Sequence, residues 1–181
     1  MPGLIPIPAA SFPADRAWYA VCVKPRHEKV ASAVMKNRGL NVFLPTRPAR
    51  HNWSDRIKDI DVPLFPGYVF CHFGFAQRMA VLMTPSVTSI VSAGRQPVAL
   101  SSEEIAAVQA IVASSRRVTP WPYLSAGQRV QVASGCLAGL CGIVLREKNA
   151  YKLVVSINLL QRSIAVEIDY RDLLPSLAAG F

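Results

Sequence analysis

The chain has 181 residues, 51% of them hydrophobic, and carries 20 Lys+Arg against 11 Asp+Glu for a net charge of +9. That length suits one ordinary domain or two small ones, with enough apolar side chains for proper cores. No apolar run approaches the length of a membrane span, residues 1–15 lack the basic start of a signal peptide, and Cys22, Cys71, Cys136 and Cys141 form neither a C-x-x-C pair nor a disulfide framework. The expectation is a soluble, cytoplasmic protein with buried free thiols, no metal and no cofactor.

The charge is uneven: residues 1–124 hold 14 basic against 7 acidic side chains (+7), whereas residues 125–181 hold 6 against 4 (+2). Either a polyanionic partner meets the N-terminal part, or that part has a solvated basic face.

Residues 1–15 are rich in Pro and Ala and read as a disordered extension. Trp18–Val23 is an uncharged strand ending at Lys24-Pro25. From Arg26 to Arg38 the pattern is helical, with Val30 and Val34 at i, i+4 and Gly39 placed to end the helix. Between Lys24 and Arg50 stand seven Lys/Arg and one acid, Glu28, the clearest nucleic-acid signal in the chain. Asn41–Leu44 is a third short strand. Arg47 to Asp61 reads as a protruding β-hairpin with Trp53-Ser54-Asp55-Arg56 at its tip, where Trp53 either packs on its neighbours or stacks on a base.

In Leu64-Phe65-Pro66-Gly67-Tyr68-Val69-Phe70-Cys71-His72-Phe73, proline and glycine set a turn, and six uncharged, largely aromatic or β-branched residues follow. Such a run reads as a strand buried on both faces and central to a sheet. Phe65, Tyr68 and Phe70 carry more apolar area than one small sheet face needs, so part of it is offered to a partner or filled by core packing. Ala76–Met83 reads as a short helix and Val87–Val91 as a strand. Ser101 and Glu104 form a capping box for a helix with Ile105, Val108, Ile111 and Val112 on one stripe.

The spacing predicts an α+β domain over residues 16–113, an antiparallel sheet flanked by helices. A proline-bearing linker follows over 114–124. Residues 125–181 change to period two, with strands beginning at Gln128, Gly142, Lys152 and Ser163 separated by glycine-rich turns, and read as a small β-barrel. Catalysis is not expected. Cys71 and His72 are the only neighbouring nucleophile and base, and adjacent strand residues point to opposite faces.

Phe65-Pro66-Gly67-Tyr68-Val69 after a Trp-Tyr strand resembles the N-terminal domain of the NusG family of transcription elongation factors. Gly127–Val132 followed by Gly135–Val144, with glycines at 135, 139 and 142, resembles that family's KOW motif. The two likenesses span roughly residues 18–175. The resemblance implies an SH3-like KOW barrel and an elongation or antitermination factor. It implies an RNA polymerase surface for the clamp helices of the largest subunit at Phe65, Pro66, Tyr68, Phe70 and Val108, and a non-template DNA contact at Lys24, Arg26 and His27. It also implies a Rho or small-subunit ribosomal protein contact on the KOW domain at Leu137, Leu159 and Leu160, and a monomer. In place of the threonine-rich stretch some paralogues use against a second polymerase arm stands Gln77-Arg78-Met79, and Cys136-Leu137 replaces the motif's Pro-Phe. The Trp53–Arg56 hairpin followed by Pro63-Leu64-Phe65-Pro66-Gly67-Tyr68 is most similar to specialised, UpxY/RfaH-like paralogues acting on surface-polysaccharide operons. The rival reading, a KOW-containing ribosomal or RNA-binding protein, would concentrate charge on the barrel, which carries only +2.

Overall fold

A computed structural model describes residues 16–174 apart from 54–55, 125–126, 128 and 148–149, with the backbone alone at 50–53, 56–59, 147, 170 and 174. The N-terminal extension and the Ser54-Asp55 turn of the sequence reading lie outside the described residues. The elements are β1 (Ala17–Val23), α1 (Glu28–Asn37), β2 (Asn41–Phe43), β3 (Thr46–Trp53), β4 (Arg56–Pro63), β5 (Tyr68–Phe73), α2 (Arg78–Leu82) and β6 (Val87–Ile90). They continue with β7 (Ser92–Ala93), β8 (Gln96–Pro97), β9 (Ala99–Leu100), α3 (Ser102–Ala113), β10 (Val118–Trp121), β11 (Arg129–Val132), β12 (Cys141–Glu147), β13 (Ala150–Ile157), β14 (Arg162–Ile168) and β15 (Leu173–Leu174).

The first sheet runs β2-β5-β1-β6, with β9 also on β1, and every pairing is antiparallel. The two uncharged runs, β1 and β5, are its centre, because only strands covered on both faces can do without polar positions. Their alternation divides the core. Tyr19, Val21, Val23, Val69, Cys71 and Phe73 face Ala31 and Met35 of α1 and Val81 of α2. Ala20, Phe70, Trp18 and Tyr68 face Ile105, Val108 and Ile111 of α3. β3 and β4 form a two-stranded ribbon that pairs only with itself.

α1 begins two residues later than the periodicity predicts. Arg26 adopts a left-handed φ of +67°, and the His27 N–H closes a turn on the Lys24 carbonyl at 3.0 Å. The predicted helix over 76–83 is a 3₁₀ turn, Phe75–Gln77, running into α2. Ser101 caps α3, its Oγ accepting from the N–H groups of Glu103 (3.2 Å) and Glu104 (3.4 Å).

The second sheet, β10-β14-β13-β12-β11-β15, corrects two expectations. Val118–Trp121, inside the stretch read as linker, is a strand paired to β14 from Val118↔Val166 to Trp121↔Ser163. Pro120 argues against a strand only where its missing N–H is needed, and an edge strand does not need it. Among the described residues the sheet is open: its edges, β10 and β15, do not pair, so no closed barrel forms. α3 packs against β1 on one side and against β13 and the 135–137 turn on the other. The result is one continuous core from Phe65 and Phe70 through Val108 and Ile111 to Leu153, Ile157 and Ile164.

Gly142 marks a close approach within the second sheet. A Cβ there would stand 2.7 Å from the Val154 carbonyl oxygen and 2.9 Å from Leu153 Cδ1. Gly142→Ala is therefore expected to cost about 1–3 kcal/mol in urea unfolding through overpacking against backbone. An unchanged midpoint would show that this close approach is not made in solution.

Candidate functional site

The turn between β4 and β5 is clamped from three directions. The Tyr68 N–H donates to the Phe65 carbonyl (3.1 Å), with Pro66 and a left-handed Gly67 (φ +85°) at the central positions, the pattern of a type II turn. The Gly67 carbonyl accepts from Val23 N–H at 2.9 Å. The Gly67 N–H donates to Oε1 of Glu28 at 2.8 Å, a carboxylate in the first turn of α1 that is 4% exposed. Glu28 thus ties the start of α1 to the aromatic turn. In sequence it stands out only as the lone acid of a basic cluster, although that isolation at a helix start was itself a signal.

Phe65, Phe70 and Val108 lie in one core, with the Phe65 and Phe70 rings edge-on at 5.4 Å and Phe43 at 6.2 Å from Phe70. The surplus aromatic area is not exposed, however. Phe65, Phe70 and Val108 are 1%, 0% and 0% exposed, and of the five predicted residues only Pro66 is open and Tyr68 half-open. α3 accounts for part of this, since Phe70 faces Ile105, Val108 and Ile111 of that helix, and the second sheet packs on α3 and reaches Tyr68. The Arg162 guanidinium lies 5.4 Å from the Tyr68 ring centroid, a cation–π contact between the two halves. Glu104 Oε1, which a capping box would turn back on Ser101, accepts from Asn158 Nδ2 at 2.6 Å and from its N–H at 3.4 Å. Tyr123 donates its hydroxyl to Asn158 Oδ1 at 3.0 Å. Beside this seam a cleft of about 650 Å³ stays open between the α3 N-terminus and the second sheet.

Leu137, Leu159 and Leu160 do not form one exposed patch. Leu137 (2% exposed) and Leu160 (9%) belong to the shared core, and only Leu159 (36%) reaches solvent.

Lys24, Arg26 and His27 are all exposed at one end of the first sheet. Their loop is tied to the one before β6: Lys24 N–H donates to the Ser86 carbonyl (2.9 Å), and Ser86 Oγ lies 3.0 Å from His27 Nδ1. Arg26 (φ +67°) and Ser86 (φ +71°) are both left-handed non-glycine residues, a strained pairing held by its surroundings. The Trp53 side chain, read as packing or stacking, lies outside the described residues.

The thiols divide. Cys71 is buried, and desolvation pushes its thiol up to about 12, whereas Cys136, in the 135–137 turn, and Cys141, at the start of β12, are exposed, against expectation. Cys71 sits in the core beneath α1, while the His72 ring lies 5.2 Å from Trp18. Register thus separates the two, and they form no dyad.

The family model described as "Transcription termination factor nusG" matches residues 16–109. The chain is 24% identical over 174 residues to the transcription termination/antitermination protein NusG of Lactococcus lactis, covering 88% of this chain and 92% of that one. It is 28% identical over 176 residues to the protein of the same description from Thermus thermophilus, covering 84% and 95%. A solved structure described as "Domain interaction in Thermotoga maritima NusG" has a TM-score of 0.55 at 20% identity, over 90% of this chain and 98% of that one, a likeness of fold.

Removing the buried acceptor should be costly. Glu28→Ala leaves the Gly67 N–H without its acceptor and is expected to lose about 1–3 kcal/mol in urea unfolding. Glu28→Gln, which keeps an acceptor oxygen, should lose less. Equal midpoints for the wild type and Glu28→Ala would remove Glu28 from the turn.

Proposed function

The chain belongs to the NusG family, and on that footing we propose that it is a transcription termination/antitermination factor whose polymerase-facing surface is covered by its own C-terminal sheet. The observation that carries the reading is the aromatic turn. Phe65, Tyr68 and Phe70 lie in one core with Val108 of α3, and the second sheet packs against α3 and reaches Tyr68 through Arg162. An aromatic-anchored surface of this kind fits a helical hairpin such as the clamp helices of the largest RNA polymerase subunit. Polymerase engages it once the second sheet has lifted away.

The second sheet is read as the KOW domain, open at its edges because α3 covers its apolar face. Leu137 and Leu160 lie in the same core, so a Rho or ribosomal partner that uses them with Leu159 also needs the undocked state. Both partners therefore draw on one equilibrium, and each favours binding of the other by the same factor. Lys24, Arg26 and His27 stand clear of the docking face, at the end of the first sheet, where they would meet the non-template strand.

Capture of the chain on core RNA polymerase tests the reading. Asn158→Ala with Arg162→Ala removes a hydrogen-bonded contact and a cation–π contact from the seam without touching the polymerase-facing residues. Each is worth on the order of 1 kcal/mol, so apparent polymerase affinity should rise by about tenfold. Adding Tyr68→Ala to that background should weaken binding by about 2 kcal/mol. If the seam variant binds no better, docking does not cover the surface. If Tyr68→Ala changes nothing, the surface lies elsewhere.

A further inference from the structure

The cleft beside the seam is walled by the start of α3, residues 123–124, Arg129 of β11, and the adjoining parts of β12 and β13. Its volume of about 650 Å³ lies within the range of about 300–1,000 Å³ usual for small-molecule sites, which favour the junctions between domains. Leu124, Leu140, Ile143 and Val154 give it an apolar lining. Most of its polar groups are already engaged: Ser101 Oγ by the cap of α3, Tyr123 and Glu104 by Asn158, and Ser156 by Ser163. Two charged side chains are not. Glu103 and Arg129 line the same cleft, are both exposed, and have no side-chain hydrogen bond or ion pair among the described residues. The helix dipole favours an acid in the first turn of α3, which accounts for Glu103. It does not account for an unpaired guanidinium on another wall of the cleft.

We propose that this cleft binds a zwitterion with an apolar body: a free amino acid or a dipeptide with a large apolar side chain. Its ammonium would meet Glu103, its carboxylate would meet Arg129, and its side chain would lie on the apolar lining. A simple anion would be attracted by Arg129 but repelled by Glu103, and a simple cation the reverse, whereas a zwitterion satisfies both charges. A carboxylate also suits the forked donors of a guanidinium. Phosphate-bearing ligands are disfavoured, because Glu103 and Glu104 stand on one wall. The walls come from both halves of the chain, so the ligand binds the docked arrangement and opposes its opening. The site rests on the docked fold and not on the polymerase reading, and it is tested without polymerase.

Cys141 lines the cleft and is exposed, whereas Cys136 is exposed outside it. Thiol modification of the intact chain, followed by mass spectrometry, therefore reports occupancy with an internal control. At about 5 mM free phenylalanine, modification of Cys141 should slow about threefold or more while that of Cys136 is unchanged. Leucyl-phenylalanine, whose charges lie farther apart, is the second probe, and the better protector of the two identifies the ligand as free amino acid or peptide. Phenethylamine lacks the carboxylate, hydrocinnamate lacks the ammonium and glycine lacks the apolar body, so each should protect about half as well or less. Glu103→Gln should abolish the advantage of phenylalanine over hydrocinnamate, and Arg129→Gln its advantage over phenethylamine. Circular dichroism confirms that both variants are folded. No protection of Cys141 by either zwitterion, equal protection by a singly charged analogue, or unchanged protection in both variants would each overturn the proposal.

Discussion

Everything in this structure depends on α3 being buried on two sides. Its stripe of Ile105, Val108 and Ile111 packs on Ala20 and Phe70 of the first sheet, and the same helix meets β13 and the 135–137 turn of the second. A helix apolar around so much of its circumference is unstable with one side in water. At about 25 cal/mol per Å² of apolar surface, uncovering even part of that seam is expensive. The open edges of the second sheet follow from the same fact, because its apolar face is closed by α3 and needs no barrel.

The proposed function requires the seam to open. Its core is apolar and non-directional, but its periphery rests on a few polar contacts near the surface: Arg162 on Tyr68, Glu104 with Asn158, and Arg116 with the Glu167 carbonyl and Asp172. Contacts of that kind are individually weak, and a cleft beside them leaves the packing incomplete. A partner that replaces the apolar contacts with its own needs to overcome only the difference between two similar interfaces. Docking then acts as a conformational tax on both faces at once.

Much of the architecture was legible in the residues. The uncharged runs around Val21 and Val69 could only be central strands, and Ser101 announced the helix it caps. The polar stretch from Arg47 to Asp61 could only be a ribbon that leaves the core. The rest was hidden for specific reasons. Val118–Trp121 was masked by Pro120, whose veto lapses at a sheet edge. The burial of Phe70 depends on α3, far along the chain, and no local pattern distinguishes an aromatic offered to a partner from one covered by a distant helix. Glu28 had no recognisable motif, since its partner is a backbone N–H on another element. Cys136 and Cys141 were read as buried because cysteine usually is, but a turn and the start of β12 put them outside.

If the second sheet hides the surface around Tyr68, removing that sheet should free it. The most direct measurement compares the affinity of the intact chain for core RNA polymerase with that of a fragment ending at residue 117, which retains the first sheet and α3 but lacks the sheet that covers them. Tighter binding by the fragment, by about tenfold or more, is the predicted result, since it no longer has to undock. Equal affinity, with the fragment shown to be folded, would mean that docking and polymerase binding use different faces and would contradict the proposed cover.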